Sequence, residues 1–269
     1  MNELQAKILD ILKWTDALCR AHQIRYYLMG GSMLGAVRHK GFIPWDDDID
    51  IAVPREDYER LYEILSRQES DTYCVETYQN GNKDFIYPYM KIYDKTTTVV
   101  EKSANRIKRG VFLDVFPIDG MADFGEEQQK HFKRIRRNVN LLSAKVCAWR
   151  KERKFYKNMA IVAAKFIPAG SRLKLLARID ALCKRYEYDS SECVGVLSGT
   201  YGEKEIMPRA YYGEPTEYEF EGMRFFGVEQ YDLYLKKLYG NYMQPPPEDK
   251  RQSPHDFLCC ELDKPYQKA

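Results

Sequence analysis

Nowhere in its 269 residues does the chain run eighteen apolar residues together, so no transmembrane helix is expected. Its opening stretch, MNELQAKILDILKWTDALCR, lacks the basic start, apolar run and small-residue cleavage site of a secretory leader and instead repeats apolar residues at helical spacing. The expectation is a protein made and kept in the cytoplasm. A net charge of only +2 argues against a nucleic-acid binder that relies on a global basic field and leaves room for local patches. The seven cysteines, at 19, 74, 147, 183, 193, 259 and 260, show no CxxC spacing, which argues for reduced structural thiols and against a disulfide framework or zinc site. No internal repeat or low-complexity segment is present. With 44% hydrophobic and 30% charged residues, long disorder is not expected.

What the chain does have is an ordered alternation of helical and strand-like patterns. Leu4, Ile8, Ile11, Leu12, Thr15 and Leu18 share one face of a first helix ending near His22. Residues 24–29 are rich in β-branched and aromatic types and read as the first strand. Gly30-Gly31-Ser32 ends that strand and offers backbone N–H groups and a serine N-cap to a short helix over 33–38, an anion-binding geometry. After a loop turning at Gly41 and Pro44, an aspartate-rich strand runs to Val53, and Pro54 stands near the start of a helix carrying Tyr58, Leu61, Tyr62 and Leu65. Further strands are expected at 73–77, 85–93, 97–101 and 110–116, with turns at 80–82 and 117–120. The composition turns helical and basic over 124–188. Short strands near 218–226 and a helix over 229–238 follow. This predicts an α/β (α+β) fold with a mixed sheet flanked by helices: a catalytic core over 1–123, a basic helical region over 124–197, and a segment over 198–269 that completes the site.

The chemistry concentrates in residues 27–53, where Asp46, Asp47, Asp48 and Asp50 crowd beside a strand. Four carboxylates cannot stay ionised and close without a cation, because like charges raise one another's pKa. Period two on a strand points Asp48 and Asp50 to one face and Ile49 and Ile51 to the other, so the first pair can chelate Mg²⁺. A glycine-glycine-serine turn followed by this hydrophobic-Asp alternation is the layout of the nucleotidyltransferase fold: serine and amides hold a phosphate, and paired carboxylates hold metal against the leaving oxygens. Asp114, in an otherwise apolar strand where a bare charge is costly, is the candidate third carboxylate. A strand-end aspartate capping the following turn is its bland alternative. Asp46 and Asp47 are assigned supporting roles.

The run GGSMLGAVRHKGFIPWDDDIDIAVPREDYERL, together with MKIYDKTT, FLDVFPIDG and YLKKLYGNYMQPPPEDKRQSPH, resembles the LicD family of phosphocholine and related phosphotransferases, distant relatives of fukutin and its related protein. The likeness spans most of the chain, with 124–188 as the part that has no residue-by-residue match. It implies transfer of a substituted phosphate, most simply phosphocholine from CDP-choline, onto a sugar hydroxyl of a cell-surface glycan or its lipid-linked precursor, with CMP leaving. Asp48, Asp50 and Asp114 would hold two Mg²⁺ or Mn²⁺ ions, and Asp114 could instead take the acceptor's proton. Gly30, Gly31 and Ser32 would bind phosphate, with Arg38, His39, Lys91, Arg251 and His255 as further donor-binding residues. The stiff Pro245–Pro247 run suggests that Arg251 and His255 close over the donor, with a plain surface tail as the competing reading.

A choline headgroup calls for an aromatic cage, for which Trp45, Tyr87, Tyr89 and Tyr242 are guesses by proximity to the motifs. The basic segment 130–157, followed by MAIVAAKFIPAG, reads either as a solvated helix face or as a peripheral dock on anionic headgroups at the inner face of the membrane. Two other functions fit the same residues: nucleotidyl transfer to a small molecule or protein, and a non-catalytic nucleotide- or glycan-binding module. Product analysis separates the three.

Overall fold

The computed structural model describes residues 1–80, 84–101, 107–147, 154–166, 170–253 and 257–266. It is a mixed α/β fold. The elements in chain order are α1 (Glu3–Ala21), β1 (Tyr27–Leu28), α2 (Gly30–His39), β2 (Asp50–Pro54), α3 (Arg55–Arg67), β3 (Tyr73–Glu76), β4 (Met90–Asp94), β5 (Thr98–Glu101), β6 (Lys108–Arg109), β7 (Phe112–Met121), α4 (Glu126–Val146), α5 (Phe155–Lys165), α6 (Gly170–Cys183), β8 (Cys193–Gly195), β9 (Met207–Pro208), β10 (Thr216–Phe220), β11 (Met223–Gly227), α7 (Tyr231–Tyr239) and β12 (Phe257–Glu261).

The main sheet runs β10-β11-β1-β2-β7-β4-β3, with β8 pairing the far half of β7 and β9 pairing β8; β12-β5-β6 form a smaller sheet. β2 and β7 are parallel and place Asp50 directly opposite Asp114, while β4 runs antiparallel to β7 and places Lys91 opposite the same aspartate. Ile51, Ala52 and Val53 are fully buried, as expected of a strand covered on both faces. Truncating Ile51 to alanine would cost about 2–5 kcal/mol.

Helix starts follow their local chemistry. Asn2 and Gln5 close a reciprocal capping box on α1, whose Ile8, Leu9, Ile11, Leu12 and Cys19 then face the sheet. α3 begins after Pro54 with Glu56 and Asp57 in its first turn and Arg67 in its last, in line with the helix dipole. α4 and α6 pack a second core, including Phe132, Ile135, Leu142, Leu176 and Ile179, against Met121 and Cys193. No disulfide joins any of the seven cysteines. No helix among the described residues is long and apolar enough to cross a membrane.

Several boundaries differ from the sequence expectation. The first strand shrinks to Tyr27–Leu28 and the 85–93 strand to Met90–Asp94. β7 continues through the expected 117–120 turn to Met121. Asp114 donates its N–H to Ile49 on the β2 side, so the amide of residue 117 would point to the other edge. There Pro117 falls between the stretches of β7 paired with β4 and with β8, and its missing donor goes unmissed. The helix after the glycines starts at Gly30, not Met33, and Met29 is its N-cap residue.

Candidate active site

The site lies where β2, β7 and the start of α2 converge. A cavity of about 310 Å³ is lined by Gly30, Gly31, Asp48, Asp50 and Asp114 together with Tyr89, Phe116, Ser198, Gly199, Thr200, Tyr201 and Glu205. The ladder begins at Asp50, yet the alternation anticipated for the strand holds: Ile49 and Ile51 are fully buried, and Asp48 and Asp50 both reach the cavity. Burial, then the neighbouring Asp48 and Asp114 carboxylates, push the Asp50 carboxyl well above its usual range, with Lys91 opposing. Asp114 is likewise raised by burial and held back chiefly by Lys91, whose Nζ lies 2.6 Å from its Oδ1. Lys91 is only 2% exposed and sits over the rings of Phe112 and Tyr87, 3.5 and 4.3 Å from their centroids.

The residues expected to bind the donor are placed as follows. Ser32 is buried inside α2 rather than at its cap, and its Oγ accepts the Asp50 N–H at 2.8 Å. Gly30 has φ +53°, and its N–H is donated to the Tyr234 hydroxyl at 3.0 Å. Gly31 needs its missing side chain, since a Cβ would come within 2.9 Å of Asp46 Oδ2. The loop after α2 is clamped: Phe42 N–H donates to Glu221, and a Cβ on Gly35 would meet Gly41 O at 2.5 Å. Gln5 of α1 donates to Asp46 O.

Asp46, Asp47 and Asp48 bring ligand oxygens within 4.8 Å of one another. Two carboxylate groupings therefore share Asp48: this half-exposed triad, and the set of Asp48, Asp50 and Asp114 on the cavity. Clustered carboxylates of this kind, with Asp50 and Asp114 both raised by burial, offer the oxygen donors that a hard divalent cation takes.

The C-terminal run returns to this loop. Arg251 lies over Trp45, 5.5 Å from the ring centroid, and Ser253 hydrogen-bonds Asp47. Arg38 donates to Tyr242 O at 2.7 Å and to His39 Nδ1 at 3.4 Å. Burial and then Arg251 lower the Arg38 pKa, and burial and then Arg38 lower that of His39. His255 lies outside the described residues.

Of the guessed aromatic residues, Tyr89 lines the cavity, stacked on Phe116 with centroids 4.1 Å apart. The others do not line it: Tyr87 turns its hydroxyl to Glu101, Trp45 carries Arg251, and Tyr242 donates to Asp232. Sequence reasoning missed Phe116, Tyr201, Glu205 and the stretch 198–200. Phe116 hides in the same apolar run as Asp114, and Glu205 in a polar YGEKE stretch that reads as exposed surface.

A mixed α/β fold with paired carboxylates at the parallel strand junction, beside a glycine-started helix, defines an enzyme of the nucleotidyltransferase-fold class. Residues 23–140 match the family described as LicD/FKTN/FKRP, nucleotidyltransferase domain. Over 259 residues, 95% of both chains, the protein is 31% identical to the lipopolysaccharide cholinephosphotransferase LicD of Haemophilus influenzae. Over 48 residues, 18% of this chain and 10% of theirs, it is 44% identical to ribitol 5-phosphate transferase FKRP of Homo sapiens and of Mus musculus. The chain belongs to the LicD family and is a phosphotransferase.

Proposed function

We propose that the protein transfers phosphocholine from CDP-choline to a sugar hydroxyl of a cell-surface glycan or its lipid-linked precursor, releasing CMP. The observation that carries this reading is that Asp48, Asp50 and Asp114, from a loop and two adjacent strands, line one cavity with the N-terminus of α2. Asp48, Asp50 and Asp114 would hold Mg²⁺ or Mn²⁺, two ions in all, with Asp46 and Asp47 in support. Bound there, the metal supplies positive charge against the anhydride oxygens.

The chain's own residues do the rest. The positive end of α2, at Gly31, faces the donor phosphates, and the Ser32 hydroxyl, while accepting from Asp50, has its own proton to donate. Arg38 and Arg251 sit close enough for one to lower the other's pKa, an arrangement that a pyrophosphate would relieve. His39, Lys91 and His255 complete the donor-side set, Lys91 by pairing with the Asp114 carboxylate. Tyr89, Phe116 and Tyr201 give the trimethylammonium group ring faces within the same cavity. Relatives that transfer choline phosphate and ribitol phosphate support a CDP-alcohol donor.

Peripheral contact with the inner face of an anionic membrane fits the helical region. Residues 124–188 carry 17 Lys and Arg against five Asp and Glu, and Phe155, Tyr156 and Phe166 are 71%, 64% and 84% exposed. Basic charge beside exposed aromatics suits a headgroup surface. Flotation with liposomes that is insensitive to anionic lipid would remove this part.

Incubation with CDP-choline, CDP-ethanolamine and CDP-ribitol, with and without Mg²⁺, tests the central reading. CMP release that requires the cation and is fastest with CDP-choline is expected. A nucleotide left on the acceptor would show nucleotidyl transfer in its place. Family membership sets aside the non-catalytic module.

A further inference from the structure

Glu205 closes the 3₁₀ turn Gly202–Glu205 and is 1% exposed, yet it lines the cavity that holds Asp48, Asp50 and Asp114. Its Oε1 accepts the Tyr201 N–H at 3.3 Å and presses so closely on Gly199 that a Cβ there would lie 2.4 Å away. Its Oε2 is buried and has no hydrogen-bond partner among the described residues. Arg136, from α4, acts on it only through charge and spends Nη1 on the Gly199 carbonyl at 2.7 Å. Tyr201, Tyr212 and, from α7, Tyr234 are the other titratable groups within its field.

A carboxylate needed only to shape the 198–201 wall uses Oε1 for that task. Leaving Oε2 unpartnered in a buried position costs free energy, and such groups in native proteins call for a reason. Burial also lifts the Glu205 carboxyl to about 7, a range suited to a general base at neutral pH.

We propose that Glu205 is the base that receives the acceptor's proton. This rests on the phosphotransfer reading above. As the acceptor oxygen bonds to phosphorus, its O–H bond breaks and the proton passes to Glu205 Oε2. The phosphorus–oxygen bond of the anhydride breaks, its electron pair leaves with CMP, and Glu205 returns the proton to solvent after product departs.

Glu205→Gln tests this, because glutamine keeps the shape and the acceptor for Tyr201 N–H while losing basicity. The assay uses the full chain with Mg²⁺ and CDP-choline, first with water and then with glucose or galactose as soluble acceptors. The expected result is a fall in kcat of roughly 10²–10⁴-fold, CDP-choline affinity within about threefold of wild type, loss of the acid limb of the kcat–pH profile, and partial recovery in Glu205→Asp. Wild-type kcat with an unchanged acid limb in Glu205→Gln would overturn the proposal and leave Glu205 as a support for the loop. If neither variant folds, the native enzyme decides, since a kcat independent of pH between 5.5 and 8 would exclude a base titrating there. A native protein that releases no CMP from any CDP-alcohol would instead refute the phosphotransfer reading itself.

Discussion

The Ser32 hydroxyl accepts the backbone N–H of Asp50 at 2.8 Å and so ties the inside of α2 to the first residue of β2. The two sequence signatures of the site, the glycine-glycine-serine turn and the aspartate alternation, are thus joined by one buried hydrogen bond. Ser32→Ala would leave that amide without its acceptor, at a cost of about 1–3 kcal/mol. The expected outcome is a lower urea midpoint together with reduced CMP release, and a variant of native stability would show that water replaces the hydroxyl.

Asp50 is held in a place that penalises its charge, so activity and stability should separate there. Asp50→Asn removes a buried like charge beside Asp48 and Asp114. In metal-free buffer it should raise stability, by an amount of order 0.5–2 kcal/mol, while transfer falls by more than about 10²-fold. Thermal melts with and without Mg²⁺ check the first half: the cation should raise the wild-type Tm more than that of the variant. Unchanged transfer in this variant or in Asp48→Asn would sink the site assignment.

Lys91 and Asp114 form a pair inside the sheet, with Nζ and Oδ1 2.6 Å apart. Lys91→Met should cost about 3–5 kcal/mol, because it leaves a buried carboxylate uncompensated. Adding Asp114→Asn should recover part of that loss, since the charge left stranded is then gone. A double variant as unstable as the sum of the two singles would mean that the pair does not couple.

His131 is 2% exposed. Its Nε2 lies 2.9 Å from the Leu182 carbonyl, which makes Nε2–H the donor, and its buried Nδ1 has no hydrogen-bond partner among the described residues. Protonation would put a hydrogen on Nδ1 where no described residue accepts it, and burial lowers its pKa below 6.5. The unfolded chain therefore takes up this proton first as pH falls. The stability contribution is complete above about pH 6.5 and is lost as pH falls through the folded-state value. Urea midpoints measured from pH 7.5 to 5 should decline, and decline less in His131→Gln.

Tyr201 places a ring on the cavity and holds the Tyr239 hydroxyl at 2.9 Å. Losing one cation–π face is worth about 1 kcal/mol, so Tyr201→Leu should raise KM roughly fivefold for CDP-choline and leave KM for CDP-ribitol nearly unchanged. An equal change for both donors would show that Tyr201 shapes the wall without recognising the headgroup.

Much of this was legible from local pattern. Apolar spacing placed α1 and α3, the switch to basic helical composition placed α4 to α6, and the Asp48-Ile49-Asp50-Ile51 alternation anticipated which side chains are buried and which reach the cavity. What failed was punctuation. Pro117 and Gly120 signal a turn, but β7 runs through them: the N–H that Pro117 lacks would face the gap between the β4 and β8 pairings, and Gly120 is paired with Val194 of β8. Ser32 signals a cap, but the helix starts three residues earlier, at Gly30 with φ +53°, which leaves the serine inside the helix with its hydroxyl on the Asp50 amide.

By itself the sequence determined the composition of the site's acidic side, because those carboxylates sit close together in the chain and their crowding is a local electrostatic fact. Tertiary structure alone decided what faces them. Asp114 is brought opposite Asp50 by parallel register, Lys91 opposite Asp114 by antiparallel register, and Tyr201 and Glu205 close the cavity from more than 150 residues away along the chain. Register and long-range packing depend on the whole buried sheet, and no window of sequence carries them.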